Sequence, residues 1–197
     1  MTSTESESLL HTPGHVKHDG HNLTGFIIFL CSESIIFFAF FVGYGVLKIS
    51  APTWYPDGVS GIAVREPLIN TVVLVSSSFV IYFAERYLHK KNYWGFRIVW
   101  LITMLMGSYF VYGQYVEWSE LTFSLSSGVF GSLFYLLTGF HGLHVITGIL
   151  LMGLMLFRSF IPGNYEKGEM GVESISLFWH FVDVIWIILF VLIYVWQ

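Results

Sequence analysis

Two histidines lie three residues apart in the longest hydrophobic stretch of the sequence. His141 and His144 belong to the run Gly-Phe-His-Gly-Leu-His-Val at residues 139–145. Residues at this spacing share one face of an α-helix, so both imidazoles point to the same side. Such a pair could ligate a metal or a haem iron, or exchange protons. Hydrogen bonding to a neighbouring helix is the alternative that requires no further component.

Three more ionisable residues interrupt other hydrophobic stretches. His180 and Asp183 are again three residues apart, and Glu33 lies in the first stretch. Ionisable side chains are costly within a bilayer, so each needs a partner or a task. Zn²⁺, Fe or Cu could bind such a set, but the Glu-x-x-His pair of metal sites in helical bundles is absent. We therefore favour interhelical hydrogen bonds over a proton relay, and both over a metal, and we predict no catalytic residue.

The composition is that of an integral membrane protein. Of the 197 residues, 55% are hydrophobic and 11% are charged, whereas soluble domains have about 25% charged residues. The formal net charge of −4 and the lack of a basic patch argue against a nucleic-acid partner. With Cys31 as the single cysteine, no internal disulfide can form.

The hydrophobic pattern predicts an all-α, polytopic membrane protein with five transmembrane helices. A polar cytoplasmic tail of residues 1–23 should precede a membrane domain of residues 24–197. Each span is long enough to cross about 30 Å of hydrocarbon. Glu117 and Glu120 are expected in a loop after the third span. The predicted spans are residues 24–47, 68–88, 96–115, 129–157 and 174–196.

The basic residues predict the orientation of these spans. Seven of the nine Lys and Arg residues fall on one side, which by the positive-inside rule is the cytoplasm. The N-terminus is then cytoplasmic and the C-terminus lies outside. Glu33 and Asp183 each lie about 13 Å from the cytoplasmic start of a span, so they could share a polar layer with His180 and His144. The tail contains four histidines, which we expect to be solvated, with proton collection as the alternative: His11, His15, His18 and His21.

Several segments in the same order resemble subunit III of the haem–copper oxidases. They are residues 32–38, 67–71, 123–132, 139–145 and 176–186, and the similarity runs from about residue 24 to the C-terminus. The cytochrome c oxidase branch, in its short five-helix form, is the most similar. A quinol oxidase subunit III and an accessory membrane subunit of a nitric oxide reductase are the alternatives.

The resemblance implies a role beside the redox chemistry of a larger complex. Subunit III of this family carries no haem and no copper, which lie in partner subunits. It packs directly against subunit I, with subunit II in the same complex, and it contacts membrane lipids. The implied location is a prokaryotic-type inner or other energy-transducing membrane. The family's polar motifs map to five residues: Glu33, His141, His144, His180 and Asp183. Longer members have seven helices, and this sequence is similar from the third onwards, which leaves the family's lipid cleft in question.

The predicted orientation can be tested with reporter fusions. A fusion after residue 58 should report the outside and one after residue 92 the cytoplasm, because the second span separates these loops. Activity of a compartment-specific reporter pair at both positions measures this. If both fusions report the same compartment, the predicted topology is wrong.

Overall fold

Five long helices make up the part of the chain that the computed structural model describes. It covers residues 19–56, 58–59, 61–161, 163, 165 and 169–196, with side chains from residue 23 onwards. All five helices are long and apolar enough to cross a membrane, which confirms the predicted all-α membrane fold. The helices are α1 (Asp19–Ser50), α2 (Arg65–His89), α3 (Tyr93–Glu120), α4 (Gly128–Arg158) and α5 (Met170–Phe190), which continues into a π-helical turn (Val191–Val195).

The helices continue past the predicted hydrophobic spans into polar sequence. Because α1 begins at Asp19, the last residues of the predicted tail are helical. Because α3 ends at Glu120, the prediction of a loop at Glu117 and Glu120 is wrong. A helix satisfies its own backbone hydrogen bonds, so it needs no apolar surroundings and continues until the backbone turns away, here at the extended residue Leu121. The prediction for the histidines of the tail falls outside the described side chains.

Trp179 of α5 fills the centre of the bundle. Its indole ring is fully buried and packs against two glycines, Gly107 of α3 and Gly148 of α4. A Cβ atom at Gly107 would lie 2.5 Å from the ring, and one at Gly148 would lie 2.9 Å from it. The indole N–H donates to Ser77 Oγ of α2 at 2.8 Å. One side chain therefore connects four helices, and small residues opposite it let their backbones approach.

Two further indoles connect helices at other depths of the bundle. Trp186 of α5 donates its N–H to Thr71 Oγ1 of α2 at 2.8 Å. Trp100 of α3 donates its N–H to the Met152 carbonyl of α4 at 2.9 Å. A buried indole N–H needs an acceptor, and no water is present in hydrocarbon to provide one. These bonds fix the register of α5 against α2 and of α3 against α4.

The first helix is held less extensively than the other four. α1 packs on α5 and α4, and much of its apolar surface faces outward. Its C-terminal end is fastened to the C-terminal turn by Lys48, whose ammonium donates to the Trp196 carbonyl and lies 4.6 Å from the centre of the Trp196 ring. Trp54, in the loop after α1, lies 5.7 Å from the same ammonium. The cation–π contacts thus join α1 to the end of the chain.

The loop between α4 and α5 is anchored at the opposite end of the bundle. Tyr165 donates its hydroxyl to the Met155 carbonyl at 2.6 Å. Burial raises the pKa of Tyr165, so its hydroxyl remains protonated and keeps donating. The guanidinium of Arg97, from α3, donates to the hydroxyl and the carbonyl of Ser159 at the end of α4.

The packing around Trp179 predicts opposite outcomes at two glycines of α4. Gly148→Ala should destabilise the bundle by about 1–3 kcal/mol, because its Cβ would overlap the buried indole. Gly142→Ala should be neutral or slightly stabilising, because nothing lies within 4 Å of its Cβ position and alanine favours helix by about 1 kcal/mol. Thermal unfolding in detergent measures both variants. Equal losses of stability would show that Trp179 does not restrict this interface.

Candidate functional site

Glu33 and His144 form a pair between α1 and α4. The His144 Nε2 atom lies 3.3 Å from Glu33 Oε2, and both side chains are largely buried. The other ring nitrogen, Nδ1, lies 2.8 Å from the Phe140 carbonyl oxygen one turn earlier in α4. The rings of Phe37 and Phe140 pack edge-on against the imidazole at 5.0 and 4.8 Å. The pair is therefore a polar contact within an aromatic surround.

The hydrogen bonds of His144 fix how many protons the pair holds. A carbonyl oxygen can only accept, so Nδ1 carries a hydrogen. Between Nε2 and Glu33 there is then room for one proton, which belongs either to a neutral carboxyl group or to an imidazolium facing a carboxylate. Both arrangements leave the pair without net charge. This explains how a carboxyl group is tolerated at a depth where an isolated charge is costly.

A second polar group joins α2 to α5 through a serine. Ser78 Oγ of α2 lies 2.9 Å from Nδ1 of His180 and also contacts Oδ2 of Asp183. Asp183 is 3% exposed, and its Oδ1 atom is buried without a hydrogen-bond partner among the described residues. His180 is half-buried. The order of contacts is His180, Ser78, Asp183.

This order differs from that of a hydrolytic Ser-His-Asp triad. In a hydrolytic triad the histidine lies between serine and carboxylate, so that it can remove the serine proton. Here the serine lies in the middle and the imidazole and carboxyl group compete for it. Ser78 therefore bridges two ionisable groups. The arrangement can support a helix contact or transfer a proton.

His141 is separate from both groups. It is fully buried, and neither ring nitrogen has a hydrogen-bond partner among the described residues. Phe110 packs edge-on against its ring at 5.8 Å, and the Trp186 ring lies 4.8 Å away at a tilt of 30°. Aromatic rings therefore pack against this imidazole.

A polar contact between the C-terminal end of α3 and the C-terminal turn was not among the predicted site residues. Glu117 of α3 accepts from the Tyr194 hydroxyl and from the Gln114 side-chain amide, each at 2.8 Å. Tyr194 lies in the π-helical turn after α5, where one extra residue in the turn changes which side chains face α3. Gln114 and Glu117 are three residues apart, a spacing that places two side chains on one face of a helix. We did not use this signal, because the predicted third span ended at Tyr115.

A surface cluster lies where α2 ends and α5 begins. Nδ1 of His89 and Oε2 of Glu169 are 2.6 Å apart, and a ligand atom of Glu173 lies within 4.8 Å of both. His89 and Glu173 are exposed. The ion pair connects two helix ends, and the absence of a metal from this chain stays a prediction.

The five predicted site residues therefore fall into three places. The structure brings Glu33 to His144, and His180 to Asp183 through Ser78, while His141 stands alone. In both groups the imidazole nitrogens nearest the carboxyl groups are already engaged within the chain. No shared ligand set for a metal or haem forms among these five residues.

The chain is similar to a family of respiratory membrane proteins along nearly its whole length. A family model described as cytochrome c oxidase subunit III matches residues 4–197. A cytochrome c oxidase subunit 3 of Synechocystis sp. is 40% identical over 189 residues, covering 93% of this chain and 81% of the relative. That of Thermostichus vulcanus is 42% identical, covering 91% and 89%. That of Oryctolagus cuniculus is 38% identical, covering 87% and 68%.

The Glu33–His144 contact predicts unequal effects of removing its two partners. His144→Leu should cost about 1–3 kcal/mol, because the Glu33 carboxyl group is left buried without a partner. Glu33→Gln should cost about 0.6 kcal/mol or less, because its amide can still donate to Nε2. Thermal unfolding of both variants measures the difference.

A double variant provides the control for this comparison. Glu33→Leu combined with His144→Leu should lose less stability than the sum of the losses of the two single leucine variants, since no polar group then remains unpaired. Strictly additive losses would mean that the two side chains do not interact.

Proposed function

Because the chain belongs to the cytochrome c oxidase subunit III family, we propose that it acts as the non-redox third subunit of a proton-pumping terminal oxidase. The chain is an integral membrane protein and a subunit of an oxidoreductase complex of aerobic respiration. The observation that carries the proposal is the match over residues 4–197, which includes all five helices. The relatives named above are cytochrome c oxidase subunits, so a quinol oxidase or a nitric oxide reductase is not favoured.

The proposed place of the chain in the complex is beside the catalytic subunit. We propose direct contact with subunit I, with subunit II in the same assembly. Haem and copper would reside in those subunits and not here. This is supported by the site geometry, in which the interior imidazoles bond to Glu33 and Ser78 or are enclosed by aromatic rings. The proposed orientation has the N-terminus in the cytoplasm, supported by the distribution of Lys and Arg.

The polar interior residues are proposed to hold the subunit in one shape. Glu33 and His144 join α1 to α4, and Ser78 joins α2 to α5. In membrane proteins such bonds are worth about 0.6 kcal/mol each, and they select register more than they add stability. A subunit that supports another must present a fixed surface to it, and these contacts supply that rigidity. The same groups could also be linked to proton uptake.

Purification of the assembled complex tests the proposed function. An affinity tag on this chain should recover haem and copper together with other subunits, and the complex should oxidise reduced cytochrome c. Once dissociated, the chain itself should carry neither metal by elemental analysis. The variants His141→Ala and His180→Ala should leave the metal content of the complex unchanged if assembly is intact.

Two results would contradict this assignment. Oxidation of a quinol in place of cytochrome c would move the chain to the quinol oxidase branch. One tightly bound metal per dissociated chain, lost in either histidine variant, would show that this subunit has a cofactor of its own.

A further inference from the structure

The contact between α2 and α5 contains a hydrogen-bond chain whose direction can reverse. Ser78 has one hydroxyl hydrogen and two neighbours that can accept it, Nδ1 of His180 and Oδ2 of Asp183. In one arrangement Nδ1–H donates to Ser78, which donates to an ionised Asp183. In the other, a protonated Asp183 donates to Ser78, which donates to a bare Nδ1. The same heavy-atom positions accommodate both arrangements.

We propose that His180, Ser78 and Asp183 form a reversible proton-binding site, in which the imidazole receives a proton and the buried carboxyl group stores it. Nδ1 of His180 faces the serine, which leaves Nε2 of this half-buried ring to receive protons. Asp183 is 3% exposed, so it exchanges protons through its neighbours. Its Oδ1 atom has no hydrogen-bond partner among the described residues. A purely structural hydrogen bond to Ser78 would therefore engage only one of the two carboxyl oxygens, Oδ2.

The transfer is balanced in atoms and charge. A proton binds Nε2 of His180, and the Nδ1–H bond breaks as its proton passes to Ser78 Oγ. The original hydroxyl proton of Ser78 moves to Oδ2 of Asp183. The imidazole ends neutral with its hydrogen on Nε2, the serine again has one hydrogen, and the aspartate is a neutral acid. No electrons are transferred and no heavy atom needs to move.

The groups around the site favour proton entry from one end of the bundle. His180 is one helical turn nearer than Asp183 to Met170, where α5 begins, so the imidazole lies nearer than the carboxyl group to the surface at that end of the bundle. On α2, Glu85 lies close enough to act electrostatically on His180. One turn beyond Glu85, His89 pairs with Glu169 at the surface, beside Glu173. Acidic groups and imidazoles thus follow the α2–α5 contact from the surface to the site.

The titratable groups on the remaining neighbouring elements are kept apart from the site by aromatic rings. On α4, His144 stacks on the ring of Phe178 with centroids 6.2 Å apart, and it is already paired with Glu33 of α1. His141 of α4 packs against the Trp186 ring, whose N–H is bonded to Thr71. Protons reaching Asp183 therefore come along α2 and α5.

Infrared spectroscopy of the purified complex tests the proposal directly. Difference spectra between high and low pH should contain the carbonyl stretch of a protonated carboxyl group, and Asp183→Asn should remove it. Ser78→Ala should retain this band but slow its shift in D₂O by about tenfold, the effect expected when one hydrogen bond is lost from the path. Ser78→Thr keeps a hydroxyl and should restore the fast exchange.

Matched controls separate proton transfer from general damage. Ser76→Ala removes a hydroxyl from the same helix, but that hydroxyl bonds only to the Val72 carbonyl, so exchange should stay at the wild-type rate. Recovery of each variant chain with the complex verifies assembly independently of oxidase activity. A spectrum in which no pH-dependent band is lost in Asp183→Asn would overturn the proposal. So would wild-type exchange in Ser78→Ala, which would leave the contact as a static hydrogen-bonded link.

Discussion

The close approach of four helices around the Trp179 indole is the constraint on which the rest of the structure depends. A large planar side chain can lie between helices in this way only where the facing residues have no side chain, as at Gly107 and Gly148. Lipid does not drive helices together as water does, so close packing and hydrogen bonds supply the association. The N–H bond to Ser77 also fixes the rotation of α5 about its axis. That rotation determines which α5 side chains face α2.

Once α5 is oriented, the polar contacts follow from helical spacing. Trp179, Asp183 and Trp186 lie four and three residues apart, so they share one face. Each of them meets a hydroxyl of α2, at Ser77, Ser78 and Thr71. Hydroxyl groups suit this position because they can also return their bonds to their own helix, as Thr71 does to the Pro67 carbonyl. A row of small hydroxyls can therefore face a row of large side chains without leaving polar atoms in lipid.

The sequence was sufficient to predict the five helices and the family, but not the partners within the site. Hydropathy determines the helices because the bilayer leaves few other ways to satisfy the backbone. From depth along each span we predicted one polar layer of Glu33, His144, His180 and Asp183. In the structure these residues form two separate contacts, one between Glu33 and His144 and one in which Ser78 joins His180 to Asp183. Depth does not specify rotation about the helix axis, so Ser78 as the bridge and the isolation of His141 could not be predicted. The Glu117–Tyr194 contact was missed because the predicted third span ended before Glu117 and because Tyr194 lies in a π-helical turn, for which the composition gives no signal.

Neutrality explains how this bundle accommodates so many ionisable groups. The Glu33–His144 pair holds one proton between its two members and carries no net charge whichever member has it. Buried ion pairs in low dielectric need such compensation, because each unpaired charge costs several kcal/mol. The group around Ser78 follows the same charge rule but differs in geometry, because a serine lies between its two ionisable members and Oδ1 of Asp183 has no hydrogen-bond partner among the described residues. In the Glu33–His144 pair the proton moves only between two atoms that already contact each other, which suits a contact that holds α1 in place. In the second group the serine hydroxyl can pass a proton from the half-buried imidazole to the buried carboxyl group, so a difference in spacing makes one contact structural and the other the proposed site for proton exchange.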